Sequence, residues 1–402
     1  MKSWIEVSER RLVENYRAAV DVLVRETGSP QAAVLAVVKA NAYGHGAAIC
    51  APVLVRAGAE WLGVTDVVEG VAVLDALVHA KTNTPQILVM SGPLAEDAPT
   101  IVQHRLVPVV WTRTQMAALA VQVGESTHPL AIHIEIDTGM SRQGVAVGAE
   151  LRELLHWLKS EPRLRLDGVM THFADAEVAG SEQTTEQRGR FEEALQLVAE
   201  SGLQPAWVHA GNTSALDNGA DGGGLRWHGA LAQSLCAQAM VREGLGLYGY
   251  CLPIEGLVAS DGADTARLQP AVLPVMTWKT RIIGLSQIEP GARVGYNGTF
   301  IAERTMRLAL LPVGYADGLR RELSSSTGTG GWVMIRGKRA PIIGRVSMNL
   351  TTVDVTEIDA AVGDEAVLLG DGVTAEDHAA LAGTIAYEII CGMGMRAPLV
   401  LV

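Results

Sequence analysis

The chain has 402 residues, enough for two domains with full hydrophobic cores or for one large barrel with an appendage. Apolar residues make up 48% and charged residues 19%, a globular balance, and the net charge of -12 disfavours a nucleic-acid partner, which needs clustered Lys and Arg. No apolar run approaches the roughly 20 residues that cross a bilayer, so no membrane partner is expected.

The N-terminus, MKSWIEVSERRLVENYR, reads as a short strand followed by an amphipathic helix. It has no apolar segment ahead of a small-residue cleavage site, which predicts a cytoplasmic protein. Cys50, Cys236, Cys251 and Cys391 are scattered, without metal-ligand spacing. They are expected to be reduced and to act as small hydrophobes, and no metal is expected.

From residue 32 to about residue 249 the sequence repeats one pattern, a short β-branched apolar run followed by a longer helical stretch. The runs are AAVLAVVKA, WLGVTDV, PQILVMSG, LVPVVWT, LAIHIEIDTG, LDGVMTHFA, AWVHAGNT and MVREGLGLYG. Between them, segments such as RTQMAALAVQVG and EQRGRFEEALQLVAESG carry apolar residues at helical spacing. Runs buried on both faces and alternating with helices predict a parallel sheet, and eight units over this length fit an α/β fold of the closed (β/α)8 TIM-type barrel. A doubly wound open sheet is the alternative; no GxGxxG turn follows the first run to favour it.

The first run delivers one lysine, Lys39, at its end, in AVVKANAYGHG. An ammonium cannot be left buried and unpaired, so Lys39 must reach water, find a carboxylate, lose its charge or be modified covalently. A snorkelling lysine at a strand end is the ordinary reading of such a residue. Here Gly44 and Gly46 allow close backbone approach to a ligand where the next helix starts, an anion-site geometry. A lysine beside a phosphate-sized site suggests pyridoxal 5'-phosphate.

Active sites of the barrel fold sit at the C-terminal ends of the strands. The unusual polar residues fall there: Lys39, then Asp137 and Arg142, His172, Asn212 and Thr213, and Arg242 within the eighth run. Each alone would be an ordinary hydrogen-bonded or solvated side chain. Their agreement on one rim is the stronger signal.

After Gly249 the helical period disappears, and runs such as VMTWKTRIIGLSQIE, MRLALLPVG, WVMIRG, APIIGRVSM and EAVLLG alternate with Gly and Pro turns. The chain therefore divides into a barrel over 10–249 and a β-rich domain over 250–402, to which residues 1–9 are expected to add a strand around Trp4 to Val7. SSSTGTGG reads as an exposed loop. Thr374 with Asp377 resembles a capping box that starts one helix through AEDHAALAGTIAYEII, and PLVLV reads as a final strand.

The stretches AVVKANAYGHG, DTGMSRQG, THFADA, HAGNTSA, VREGLGLYG, VGYNGTF, LPVGYADG and GRVSMN occur in order and together resemble the alanine racemase family over nearly the whole chain. The resemblance implies a pyridoxal phosphate enzyme that interconverts L- and D-alanine, supplying D-alanine for peptidoglycan. It implies that Lys39 bonds the cofactor and serves as one base. Tyr296, from a neighbouring subunit of a homodimer, would be the second, tuned by His172 with Arg242 behind it. Tyr43, Thr213 and the backbone N–H groups of Gly244 and Leu245 would hold the phosphate, with Asn212 beside them. Arg142 would lie near the cofactor and the substrate carboxylate, Met348 would touch that carboxylate, and Tyr315 would line the entrance. Arg242 would face the ring nitrogen: a guanidinium only donates, which disfavours the ring protonation that transamination and decarboxylation exploit.

Three positions depart from the family pattern. Glu135 stands where many relatives carry a carbamylated lysine, and is expected to orient Arg142 directly or through water. Asn349 replaces an aspartate, and Met395 replaces a phosphate-binding tyrosine of several relatives. The alternatives are a racemase of broader or serine preference and a non-catalytic pyridoxal phosphate carrier, for which Tyr296 would have no use.

Overall fold

The computed structural model describes residues 2–125, 128–220, 224–256, 266–269 and 271–402. Two compact units appear: residues 11–42 with 47–273, and residues 1–10 with 43–46 and 274–402.

The larger unit is a closed parallel barrel. Its strands are β2 (Ala33–Val37), β3 (Trp61–Val64), β4 (Gln86–Val89), β5 (Val107–Val110), β6 (Leu130–Asp137), β8 (Leu164–Met170), β9 (Trp207–His209) and β10 (Gln238–Glu243). Two-residue strand β7 (Val145–Ala146) pairs onto the end of β6, and β1 (Ser3–Val7) precedes the barrel in sequence. Every barrel pairing is parallel, and the ring closes where Val241 of β10 lies opposite Val34 of β2. All eight apolar runs became barrel strands. Most positions of β3 to β6 are buried, as strands covered by helices outside and packed side chains inside must be.

The helices between the strands start on conventional caps. Thr112 and Gln115 form a capping box for Arg113–Val123, Asp66 caps Val67–His79, and Ser181 caps Glu182–Ser201.

The smaller unit is mostly β. In its six-stranded sheet, β1 lies between β11 (Met276–Arg281) and β20 (Leu399–Leu401), antiparallel to the first and parallel to the second. The N-terminal strand thus joins the β unit as its sequence suggested. Beyond β11 the sheet continues through β19 (Glu365–Leu369), β16 (Trp332–Ile335) and β17 (Lys338–Pro341). A second sheet combines β12 (Gly284–Ile288), β15 (Met306–Leu311) and β18 (Thr351–Asp354), and β13 (Arg293–Val294) pairs with β14 (Phe300–Ile301). The run VMTWKTRIIGLSQIE therefore supplies two strands, β11 and β12, in different sheets.

One helix expectation is corrected. The stretch after Thr374 forms two helices, Ala375–Ala382 and Ala386–Gly392, because Gly383 takes φ +69° and ends the first in a left-handed cap. The capping box at Thr374 and Asp377 is present. Within SSSTGTGG, Ser326 and Thr327 are exposed but Ser325 is buried, its hydroxyl accepting from the N–H groups of Thr327 and Gly328.

Candidate active site

Lys39 lies just past the C-terminal end of β2, and the backbone after it turns the unusual way. Ala40, Asn41, Ala42 and Tyr43 all have φ between +50° and +55°, a left-handed turn that costs about 1–2 kcal/mol per non-glycine residue. Side chains hold it in place. The Glu69 carboxylate accepts from the N–H groups of Ala40 and Thr65, and Asn41 Oδ1 accepts from Ala47 N at 2.9 Å. The Tyr248 hydroxyl donates to Val37 O at 2.9 Å and fixes the strand end. These contacts over-determine a conformation that the residues' own propensities disfavour.

Gly44 serves a purpose other than close ligand approach. A Cβ there would lie 2.4 Å from the carbonyl oxygen of Ile390, so protein backbone fills the space.

Across the rim, Arg242 is almost fully buried. Its Nη2 donates to Thr171 O at 2.7 Å and lies 3.1 Å from His172 Nδ1; its Nη1 lies 3.3 Å from His209 O and 3.4 Å from His209 Nδ1. Burial pulls the guanidinium down to about 10, still far above neutrality. His172 is pulled down to about 3, first by burial and then by the positive charges of Arg242, Arg142 and Lys39. It is therefore neutral, with Nδ1 accepting from Arg242 and its proton on Nε2.

Arg142 is exposed on the loop after β6. That loop is shaped by Asp137, whose Oδ1 accepts from Gly139 N at 2.9 Å and Ser141 N at 3.0 Å. Glu135 does not bond Arg142 directly. It is buried, and its carboxylate accepts from Gln143 Nε2, whose amide also donates to Met90 O at 3.0 Å. Burial pushes Glu135 above the usual carboxylate range, opposed by Gln143 and by the charges of Arg242 and Arg142.

Asn212 caps the short helix Thr213–Asp217 through Ala215 N at 3.1 Å. The N–H groups of Gly244 and Gly246 both point at Thr213 Oγ1, at 3.4 and 3.3 Å, and the same hydroxyl lies 2.7 Å from Glu243 Oε1. Leu245, beside them, is buried at the start of the turn that follows β10. Sequence reasoning passed over Glu243, which was hidden inside an apolar run. It also passed over Gln187, whose amide donates to His172 O at 2.8 Å and accepts from Ala174 N at 2.9 Å. The signal for Gln187 was a polar residue on the inward face of a helix.

In the smaller unit, Tyr43 is buried with its ring 6.2 Å from that of Tyr387. Tyr315 and Met348 are neighbours: Tyr315 N donates to Ser347 O at 3.0 Å and Ala316 N to Met348 O at 2.9 Å. Asn349 donates to Asp317 Oδ2 at 3.2 Å. Tyr296 is 67% exposed, and Tyr315, Met348 and Met395 are also exposed.

The barrel residues fit pyridoxal phosphate by their chemistry: an amine on a strand end, a guanidinium that only donates, and a hydroxyl beside two converging N–H groups. Fold and rim define the class, a (β/α)8 barrel whose C-terminal rim carries an amine, a neutral imidazole and a buried arginine. The family description "Alanine racemase, N-terminal domain" matches residues 7–251, and "Alanine racemase, C-terminal domain" matches residues 275–401. The chain is 37% identical over 385 residues to an alanine racemase of Sorangium cellulosum, covering 92% of each chain. It is 35% identical to one of Syntrophobacter fumaroxidans, covering 98% of this chain and 95% of the relative.

Among solved structures, the alanine racemase of Streptomyces coelicolor superimposes with a TM-score of 0.84 at 32% identity, covering 100% of this chain and 98% of that one. The Bartonella henselae alanine racemase with covalently bound pyridoxal phosphate gives 0.79 at 25%, covering both chains fully. The chain belongs to the alanine racemase family, and it is an enzyme of the isomerase class. Among the described residues, no helix is long and apolar enough to cross a membrane.

Proposed function

We propose that the protein interconverts L- and D-alanine by a two-base mechanism with pyridoxal phosphate bound at the barrel rim. The observation that carries this reading is the buried Arg242 guanidinium, hydrogen-bonded to a neutral His172 rather than to a carboxylate. When bound, the cofactor supplies the electron sink that makes the substrate Cα proton removable. Lys39 bonds the cofactor and, once freed, accepts or returns a proton on one face of Cα. Tyr296 of a second copy of the chain does so on the other face, which makes an isologous homodimer obligatory for activity.

The Nε2–H of His172 donates toward that tyrosine's oxygen and stabilises its anionic form, which an ordinary tyrosine reaches only near pH 10. Arg242 withholds a proton from the ring nitrogen and so favours return of the proton to Cα. Tyr43, Thr213 and the N–H groups of Gly244 and Leu245 hold the phosphate, with Asn212 shaping their turn. The Met395 thioether has no proton to donate, so these residues carry the phosphate. Arg142 and the Met348 backbone take the substrate carboxylate, and Tyr315 lines the entrance. Location in the cytoplasm and supply of D-alanine to peptidoglycan belong to the same proposal.

The test is the circular dichroism of L-alanine and L-serine during incubation with protein loaded with pyridoxal phosphate. Decay of the L-alanine signal to zero, abolished in Lys39→Ala, is the expected result. Faster decay of L-serine would shift the substrate preference. A visible cofactor band without decay of either amino acid would support the carrier instead.

A further inference from the structure

A continuous line of polar side chains runs from the half-buried His172 on the rim into the barrel interior, through the buried Arg242, His209, His133 and Asp167. Beyond the contacts already described, His209 Nε2 lies 2.8 Å from His133 Nδ1, and His133 Nε2 lies 3.5 Å from Asp167 Oδ2. The two imidazoles meet edge to face with ring centres 4.8 Å apart, and the buried Trp61 ring packs 5.3 Å from that of His133.

The backbone is built to accommodate this line. Ile132 pairs with Leu166 but His133 pairs with Gly168, so Asp167 is an extra residue in β8, a bulge that re-aims its side chain. A Cβ on Gly168 would lie 2.6 Å from the His133 ring, so only glycine leaves room for that imidazole.

We propose that Asp167, acting through His133 and His209, is a positioning residue that fixes how Arg242 presents its guanidinium to His172. The functional consequence rests on the racemase reading above. Burial opposes ionisation of Asp167, but its contacts with His133 and Arg165 prevail and hold it below the usual carboxylate range. The Asp167 carboxylate, which only accepts, is the charge facing His133 Nε2 across 3.5 Å, a charge contact rather than a hydrogen bond, and it favours placing the single proton of neutral His133 on Nε2. Its Nδ1 is then an acceptor and takes the Nε2–H of His209. Burial keeps His209 neutral as well, which leaves its Nδ1 bare toward Arg242.

With either ring in the other tautomer, a donor would face a donor, because arginine has no acceptor. The order donor to acceptor therefore runs one way from Arg242 to Asp167. It leaves the other guanidinium nitrogen for His172 Nδ1, and so puts the His172 proton on Nε2. Without the anion at the inner end, the Nε2–H of His133 is a buried donor with no acceptor, so the order is held from the Arg242 end alone and the alternatives lie closer in energy.

The experiment is 15N NMR of histidine-labelled holoprotein, combined with kcat and KM for L-alanine. In the wild type, His133, His209 and His172 are expected to carry protons on Nε2 alone; an Nδ1–H on His133 or His209 overturns the proposal without any variant. Asp167→Leu is expected to mix the tautomers of His133 and His209 and to lower kcat on the order of tenfold with KM little changed, as loss of an outer-shell partner typically does. Asp167→Glu is expected to restore both. A fall in kcat with unchanged tautomers would mean a merely structural role and would also overturn it. Because the NMR pattern needs no turnover, an inactive protein that shows the expected wild-type tautomers would count against the racemase reading and leave the positioning of Arg242 standing.

Discussion

Arg242 Nη2 stands 3.1 Å from His172 Nδ1, and the two residues leave β10 and the end of β8 to meet there. A buried guanidinium that already donates to Thr171 O and His172 keeps its proton and has none to lend. In Arg242→Glu a carboxylate would replace it, favouring a protonated ring nitrogen. Racemisation is expected to fall about 100-fold or more, as loss of a preorganised donor does. Transamination of alanine to pyruvate should rise, and a coupled pyruvate assay run beside the racemisation assay checks both.

Glu243 gives the protein a pH-dependent cost in stability. Burial pushes its carboxyl up to about 7, with the Thr213 hydroxyl opposing and Asp217 reinforcing the rise. Between the unfolded value of 4.5 and about 7 the folded state holds a proton that the unfolded state has lost, so stability falls as pH rises through this window and levels off above it. Glu243→Gln removes the titration. The variant should gain on the wild type between pH 5 and 8 by up to about 3 kcal/mol, measured by urea denaturation at each pH.

Gln143 supplies the hydrogen bond that the buried Glu135 carboxylate accepts. Removing the amide in Gln143→Ala leaves a nearly buried carboxylate without that donor, at a cost of about 1–3 kcal/mol. The double variant Glu135→Gln, Gln143→Ala should recover part of the loss. Equal stability of Gln143→Ala and wild type would show that another group satisfies Glu135.

If Tyr296 and Met348 complete the site of a second copy, activity per chain should decline on dilution below the dimer dissociation constant while the barrel stays folded. Activity followed beside sedimentation and far-UV circular dichroism over the same concentrations checks this. Constant activity per chain in demonstrably monomeric protein would contradict the shared site.

Much of this architecture was readable in the residues. The runs that end at Lys39, Asp137 and His172 are rich in apolar residues because parallel strands are buried on both faces, so the period changes visibly at each helix. Other features leave no local trace. Ala40 and Ala42 adopt φ values that their own propensities disfavour, and the Ala40 N–H is anchored by Glu69, which lies on a later helix. The Asp167 bulge exists only relative to β6, and the His133–His209 contact joins residues 76 positions apart. Gly383 is the local sign that the last helical stretch breaks, through the left-handed cap that it supplies.

The most direct test of the two-base claim is solvent deuterium exchange at Cα in Tyr296→Phe, followed separately from L- and D-alanine by proton NMR in heavy water. With Lys39 and Tyr296 on opposite faces, the variant should still exchange the Cα proton of one enantiomer with retention, while exchange from the other enantiomer and racemisation fall together. Exchange from both enantiomers at wild-type rates, with racemisation intact, would contradict Tyr296 as the second base.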